Sequence, residues 1–247
     1  MSELPRFTIP MPQEDAESLG LETSVISPAE AAKVRSLATL ISQTINSMYG
    51  TFIPKETIEA NHDIGNRVIV TDDIITLGKA WNPGFREPVK TEGLAGYAFQ
   101  RGGIIAVLNP EIDWGRCCPH CKAKDIEALG SEPAARELYK RRYYTTFIAH
   151  EEVHQYQDWR LPEAFKEMGA YYYTSHIARQ LGHRPVGDDL ADMRYNAYEA
   201  LLQKYGDDVH RVFFGATENP ITKLRKPFIL HEAFKQKDIL FPNGQDL

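Results

Sequence analysis

Five consecutive residues, His150-Glu151-Glu152-Val153-His154, form the pattern H-E-x-x-H. On a helix, positions four apart lie one above the other, so both imidazoles can reach one ion from a rigid support. Glu151 is rotated to one side, where its carboxylate can meet a water on that ion. Zinc suits such a site because it accepts histidine nitrogen and carboxylate oxygen in a tetrahedron and lowers the pKa of its water to about 7. A chain with 8 histidines in 247 residues produces this pattern by chance about once in fifty. Its surroundings strengthen the reading: ARELYKRRYYTTFIAHEEVHQYQD, about 134–158, has a helical pattern with Phe147, His150, His154 and Gln157 on one stripe.

A third ligand is required. Gly and His three and six residues past His154 would extend the motif as in metzincins, but those positions hold Gln157 and Arg160. The next helix, expected at about 162–181, offers Glu163 and Glu167 one turn apart. A turn at Arg160-Leu161-Pro162 would fold it back beside the motif helix and present a carboxylate to the histidines.

From Phe147 to Tyr171 the sequence resembles the gluzincin branch of zinc metallopeptidases, the thermolysin-like enzymes. That resemblance implies a third ligand from a Glu on the following helix with a small residue three positions later. Glu167 with Ala170 fits, whereas Glu163 is followed by Lys166, so Glu167 is the expected ligand and Glu163 the alternative. The family usually places Asp or another polar residue just beyond the small one to support a ligand histidine; Tyr171 stands there instead. The implied activity is hydrolysis of peptide or protein substrates with one catalytic Zn2+ ion. Glu151 serves as general base for the attacking water and then passes the proton to the leaving amine. An oxyanion donor is also implied, for which Tyr172 and Tyr195 are the candidates among several downstream Tyr and His. Two other functions remain open: a zincin-like binding or regulatory module without peptidase activity, and a zinc hydrolase of a non-peptide amide.

The elements that must position these residues read as α+β, zincin-like. A backing helix and a small mixed sheet are followed by a helical part carrying the motif. Residues 1–26, rich in Pro, Ser and Glu, read as an extended arm, and 27–247 as one domain, sheet-containing over 27–130 and helical over 131–247. Ser27 as cap, Pro28 at the first helical position and Glu30 at the capping-box position start a helix over 28–49 that Gly50 ends. RVIVTDD with DIITLGK, and AGYAFQ with GIIAVLN around Arg101-Gly102-Gly103, read as two strand pairs. Residues 103–109 are the candidate edge strand for an extended substrate, a central position being the alternative. A third helix is expected from about 188 to 206. Residues 207–247 contain weak helical and apolar pieces interrupted by Pro220, Pro227 and Pro242 and read as a tail over the helical part.

Composition sets the outer bounds. Twenty-eight Lys+Arg against 34 Asp+Glu give a charge of −6, which argues against general binding to nucleic acid or anionic membrane. Three cysteines cannot build a disulfide framework, and the first twenty residues lack a basic region followed by an apolar run. No apolar stretch approaches the roughly 18 residues of a membrane span. A reduced, cytoplasmic protein is expected. Cys118, His120 and Cys121, behind Cys117, form a possible second metal or thiol site. Lys140-Arg141-Arg142 reads as a solvated helix face.

Overall fold

Ser27 begins the first helix as its chemistry suggests. Its hydroxyl oxygen accepts from the Glu30 amide at 3.2 Å, its carbonyl accepts from Ala31 at 2.9 Å, and α1 runs Pro28–Tyr49. The computed structural model describes residues 6–8, 22–23, 26–75, 77, 96–99, 104–116, 119–186 and 189–236. The chain divides into two compact units, residues 1–40 with 63–148 and residues 41–62 with 149–247. The divisions at 40/41 and 148/149 fall inside α1 and inside the motif helix. The expected change of character near residue 130 is therefore not where the units part. Composition gave no sign of this, because each long helix keeps one pattern while its two ends enter different cores.

The first unit holds a mixed five-stranded sheet in the order β2-β1-β3-β5-β4, with β1 Arg6–Thr8, β2 Glu22–Thr23, β3 Val68–Thr71, β4 Gly96–Phe99 and β5 Ile104–Leu108. β3 and β5 pair in parallel, Val68 opposite Ile105 and Thr71 opposite Leu108. β4 and β5 pair antiparallel, Gly96 opposite Val107 and Phe99 opposite Ile104. Two expectations are corrected here. Residues 103–109 are not an edge: β5 is hydrogen-bonded on both sides, and Ile105, Ala106 and Val107 are fully buried, as a strand covered on both faces requires. Two short strands of the extended amino-terminal arm, β1 and β2, join this sheet. The described residues of DIITLGK, after β3, are not a strand. The Asp73 carboxylate accepts from the Ile75 amide at 3.0 Å, and residues 74, 75 and 77 are helical, a local cap overriding the β-branched composition.

A short 3-10 turn, Ile64–Arg67, leads into β3. Its Gly65 lies against α1, where a Cβ would sit 2.9 Å from the Arg35 carbonyl oxygen, so only glycine allows that approach. Helices α3 (Pro110–Arg116) and α4 (Pro119–Leu129) follow the sheet, and α5, Glu132–Tyr156, begins beside them. The basic run on α5 is ion-paired rather than simply solvated: Lys140 pairs with Glu111, and Arg142 lies 3.5 Å from Asp125.

The second unit is helical. The ends of α1 and α5 join α2 (Lys55–Ala60), α6 (Glu163–Gln180), α7 (Asp189–Tyr205), α8 (Asp208–Phe214) and α9 (Pro220–Lys235). The residues read as a tail thus contain two helices. Asn219 caps α9 by accepting from the Ile221 amide at 2.8 Å. Pro227 inside it is tolerated while Ile229 and Ala233 bury the inner face. The core is aromatic: Tyr156, Tyr173, Tyr198, Phe165 and Phe213 are fully buried, each contributing about 1.5–3 kcal/mol by the usual transfer scale. Their hydroxyls are satisfied internally. Tyr156 meets Ser42 at 2.7 Å, and the Tyr173 oxygen meets Tyr198 at 2.8 Å and His210 Nδ1 at 2.6 Å.

Among the described residues the chain is mostly helical with a small mixed sheet, an α+β arrangement. Among the described residues no helix is long and apolar enough to cross a membrane.

Candidate metal centre

Two helices and the turn between them build the site, all within the second unit. After α5 ends, buried Asp158 fixes the reversal. Its amide donates to the Phe213 carbonyl at 2.8 Å, and its carboxylate accepts from the Arg160 amide at 3.1 Å and from Arg160 Nε at 2.8 Å. Burial alone would raise the Asp158 pKa, but these bonds outweigh it and hold the carboxyl below its ordinary range. Pro162 then precedes α6, which carries Glu167 back toward the motif histidines.

His150, His154 and Glu167 converge. The two Nε2 atoms are 3.2 Å apart, and the Glu167 carboxylate straddles them, Oε1 3.2 Å from His154 Nε2 and Oε2 3.5 Å from His150 Nε2. All three side chains are largely buried, and they are the group able to hold a metal among the described residues. Donors on tetrahedral zinc, with bonds of roughly 2.0–2.1 Å, must stand about 3.3 Å apart, so this spacing fits without rearrangement.

Protonation explains why these groups tolerate one another. Gln157 Oε1 can only accept, so His154 Nδ1 donates to it at 3.0 Å and directs Nε2 toward the centre. Burial opposes charge on His154, but the adjacent Glu167 carboxylate wins and carries its pKa up to about 9. Burial likewise opposes charge on Glu167, and His154 and His150 hold it well below the usual carboxylate range. A cation is therefore demanded at the centre, either a proton or a metal ion that takes its place.

The other candidate residues fall as follows. Glu151 is buried on α5, and its charge is near enough to help raise the His154 pKa. Glu163 is outside the cluster and pairs with Lys166. Tyr172 stacks on Tyr195 at 5.2 Å and meets the His176 ring at a tilt, 4.4 Å between centroids, and burial pushes its pKa up to about 12. The Tyr195 hydroxyl meets His176 Nε2 at 3.2 Å. The ring that meets His150 is that of Tyr171, with centroids 4.8 Å apart. Cys118 lies outside the described residues, as does the side chain of Cys121, while His120 is exposed near the start of α4.

Two residues at the centre were not identified from sequence. Gln157 is three positions past His154 on the same face, a spacing that could have marked it as an orienting partner. Arg194, buried on α7, has its guanidinium carbon 4.9 Å from the Tyr171 ring centroid, and nothing in the motif region points to it. Comparisons with protein-family models, with curated proteins and with solved structures find no match.

Proposed function

We propose that this chain is a zinc-dependent metallopeptidase with a zincin-like fold, using His150, His154 and Glu167 as ligands and Glu151 as general base. The observation that carries the proposal is the convergence of three ligand-type donors at tetrahedral spacing, with the buried Glu151 carboxylate on the helix of the two histidines. The order of backing helix, mixed sheet, motif helix and glutamate helix supports the fold reading.

A bound zinc ion would supply a Lewis acid that polarises a carbonyl and makes water a nucleophile at neutral pH. The protein's own groups supply the rest. Gln157 holds the His154 tautomer, so Nε2 rather than Nδ1 faces the centre. Glu167 contributes negative charge that offsets the cation. Glu151, one residue past His150, accepts the proton of the attacking water and donates it to the departing amine.

Glu151→Gln tests this role. The variant is expected to keep one equivalent of metal while peptide-bond cleavage, followed on a mixed peptide library by mass spectrometry, falls by at least 100-fold. Wild-type cleavage by that variant would overturn the mechanism.

A further inference from the structure

The two histidines of the centre are supported differently. His154 has the Gln157 carbonyl oxygen on Nδ1. His150 has an aromatic ring against it: Tyr171, at 4.8 Å between centroids and 62° between planes, an edge-to-face geometry in which the positive rim of one ring meets the negative face of the other. Tyr171 follows Glu167 by four residues, so one face of α6 carries both a ligand and the ring that packs on another ligand.

That ring is itself held. The Arg194 guanidinium carbon is 4.9 Å from its centroid, and Arg194 is only 6% exposed. A guanidinium withdrawn from water interacts with an aromatic face more strongly than one on the surface. The cation comes from α7, the ring from α6 and the imidazole from α5, so three helices are connected through one line of side chains ending at a ligand.

We propose that Tyr171 and Arg194 are positioning residues for His150, an aromatic–cation support standing where a carboxylate would otherwise hold a ligand histidine. This rests on the reading of His150, His154 and Glu167 as a metal site. Their work is to fix the imidazole plane so that Nε2 is presented before the ion arrives, which spares the ion the cost of ordering a free side chain. The support is carried by the ring, against which both His150 and Arg194 lie.

The test is metal affinity, measured on the whole metal-free chain by competition for Zn2+ with a chromophoric chelator, together with the visible spectrum of the Co2+-loaded protein. Tyr171→Phe is expected to stay within threefold of wild-type affinity with an unchanged cobalt spectrum. Tyr171→Leu and Arg194→Met are expected to lose ten- to 100-fold, the range for outer support of a ligand histidine, with a shifted cobalt band. Arg194→Lys, which keeps a cation, should fall between. Should Arg194→Met fail to fold, the Phe and Leu variants of Tyr171 still decide. Equal affinity for those two, whether both normal or both weakened, overturns the proposal. Wild-type protein that binds neither Zn2+ nor Co2+ overturns instead the metal reading beneath it, so the two failures are distinguishable.

Discussion

Gly169 gives the most demanding test of how α6 is seated. It lies two residues past Glu167 and packs on Phe213 of α8. A Cβ there would stand 2.5 Å from Phe213 Cδ2 and 3.0 Å from Cζ, inside the roughly 3.5–4.0 Å at which carbon atoms pack. The ring cannot swing aside. Phe213 is fully buried, with Tyr173 at 4.8 Å, Phe214 at 5.0 Å, Tyr198 at 5.9 Å and Phe165 at 6.1 Å around it. Gly169→Ala gains about 1 kcal/mol of helix propensity but overpacks several ring atoms at once, placing its cost near the upper end of the roughly 1–3 kcal/mol range. The clash wins, leaving a net destabilisation of about 2 kcal/mol. Urea unfolding of the metal-free protein should show a lowered midpoint with unchanged slope. Gly169→Ala combined with Phe213→Leu, which removes the ring, should be more stable than the sum of the single changes by about 1 kcal/mol or more. A Gly169→Ala protein as stable as wild type, or strict additivity in the double variant, would refute this packing.

Other measurements address separate parts of the structure. His210 is half-buried and bonded to the Tyr173 hydroxyl. Burial, with the nearby charges of His176 and Arg211, lowers its pKa to about 4 despite Asp207. The unfolded chain therefore takes up a proton below pH 6.5 that the folded one refuses. Stability should fall from pH 6.5 toward 4 by up to about 1.4 kcal/mol per unit from this residue, and urea midpoints that do not move between those pH values in wild type, or that move equally in His210→Gln, would contradict this. Ser27→Ala removes the cap on α1 and should cost about 1 kcal/mol in thermal or urea unfolding, whereas Ser27→Asp should not. Glu163→Ala, which takes the ion-pair partner from buried Lys166 but lies outside the metal cluster, should leave metal affinity within about twofold, and a tenfold loss would point to Glu163 as a ligand.

Local chemistry was legible in the sequence wherever a few neighbouring residues decide the outcome. The start of α1 was plain from Ser27 and Pro28, and the β4–β5 hairpin from its paired apolar runs. Long-range choices were not legible. Ile104–Leu108 reads equally as a central or an edge strand, because continuous apolar residues suit any strand covered on both faces, and its neighbours lie far along the chain. Two- and three-residue strands such as β1 and β2 carry no periodicity to detect. Pro227 left α9 legible only as a weak helical piece, since the helix is held by its buried face rather than by its own propensity. At the candidate site the spacing within α5 and α6 was visible in advance, while the contribution of Arg194 depends on α7 packing beside α6, which no local pattern encodes.

The central claim is that His150, His154 and Glu167 hold a single zinc ion, and elemental analysis of the purified chain and its ligand variants tests it most directly. Wild-type protein is expected to carry one zinc per chain, retained in Glu151→Gln and Glu163→Ala and lost in His154→Ala and Glu167→Ala. Wild-type protein that takes up no metal after dialysis against Zn2+, or a Glu167→Ala variant that keeps a full equivalent, would contradict it.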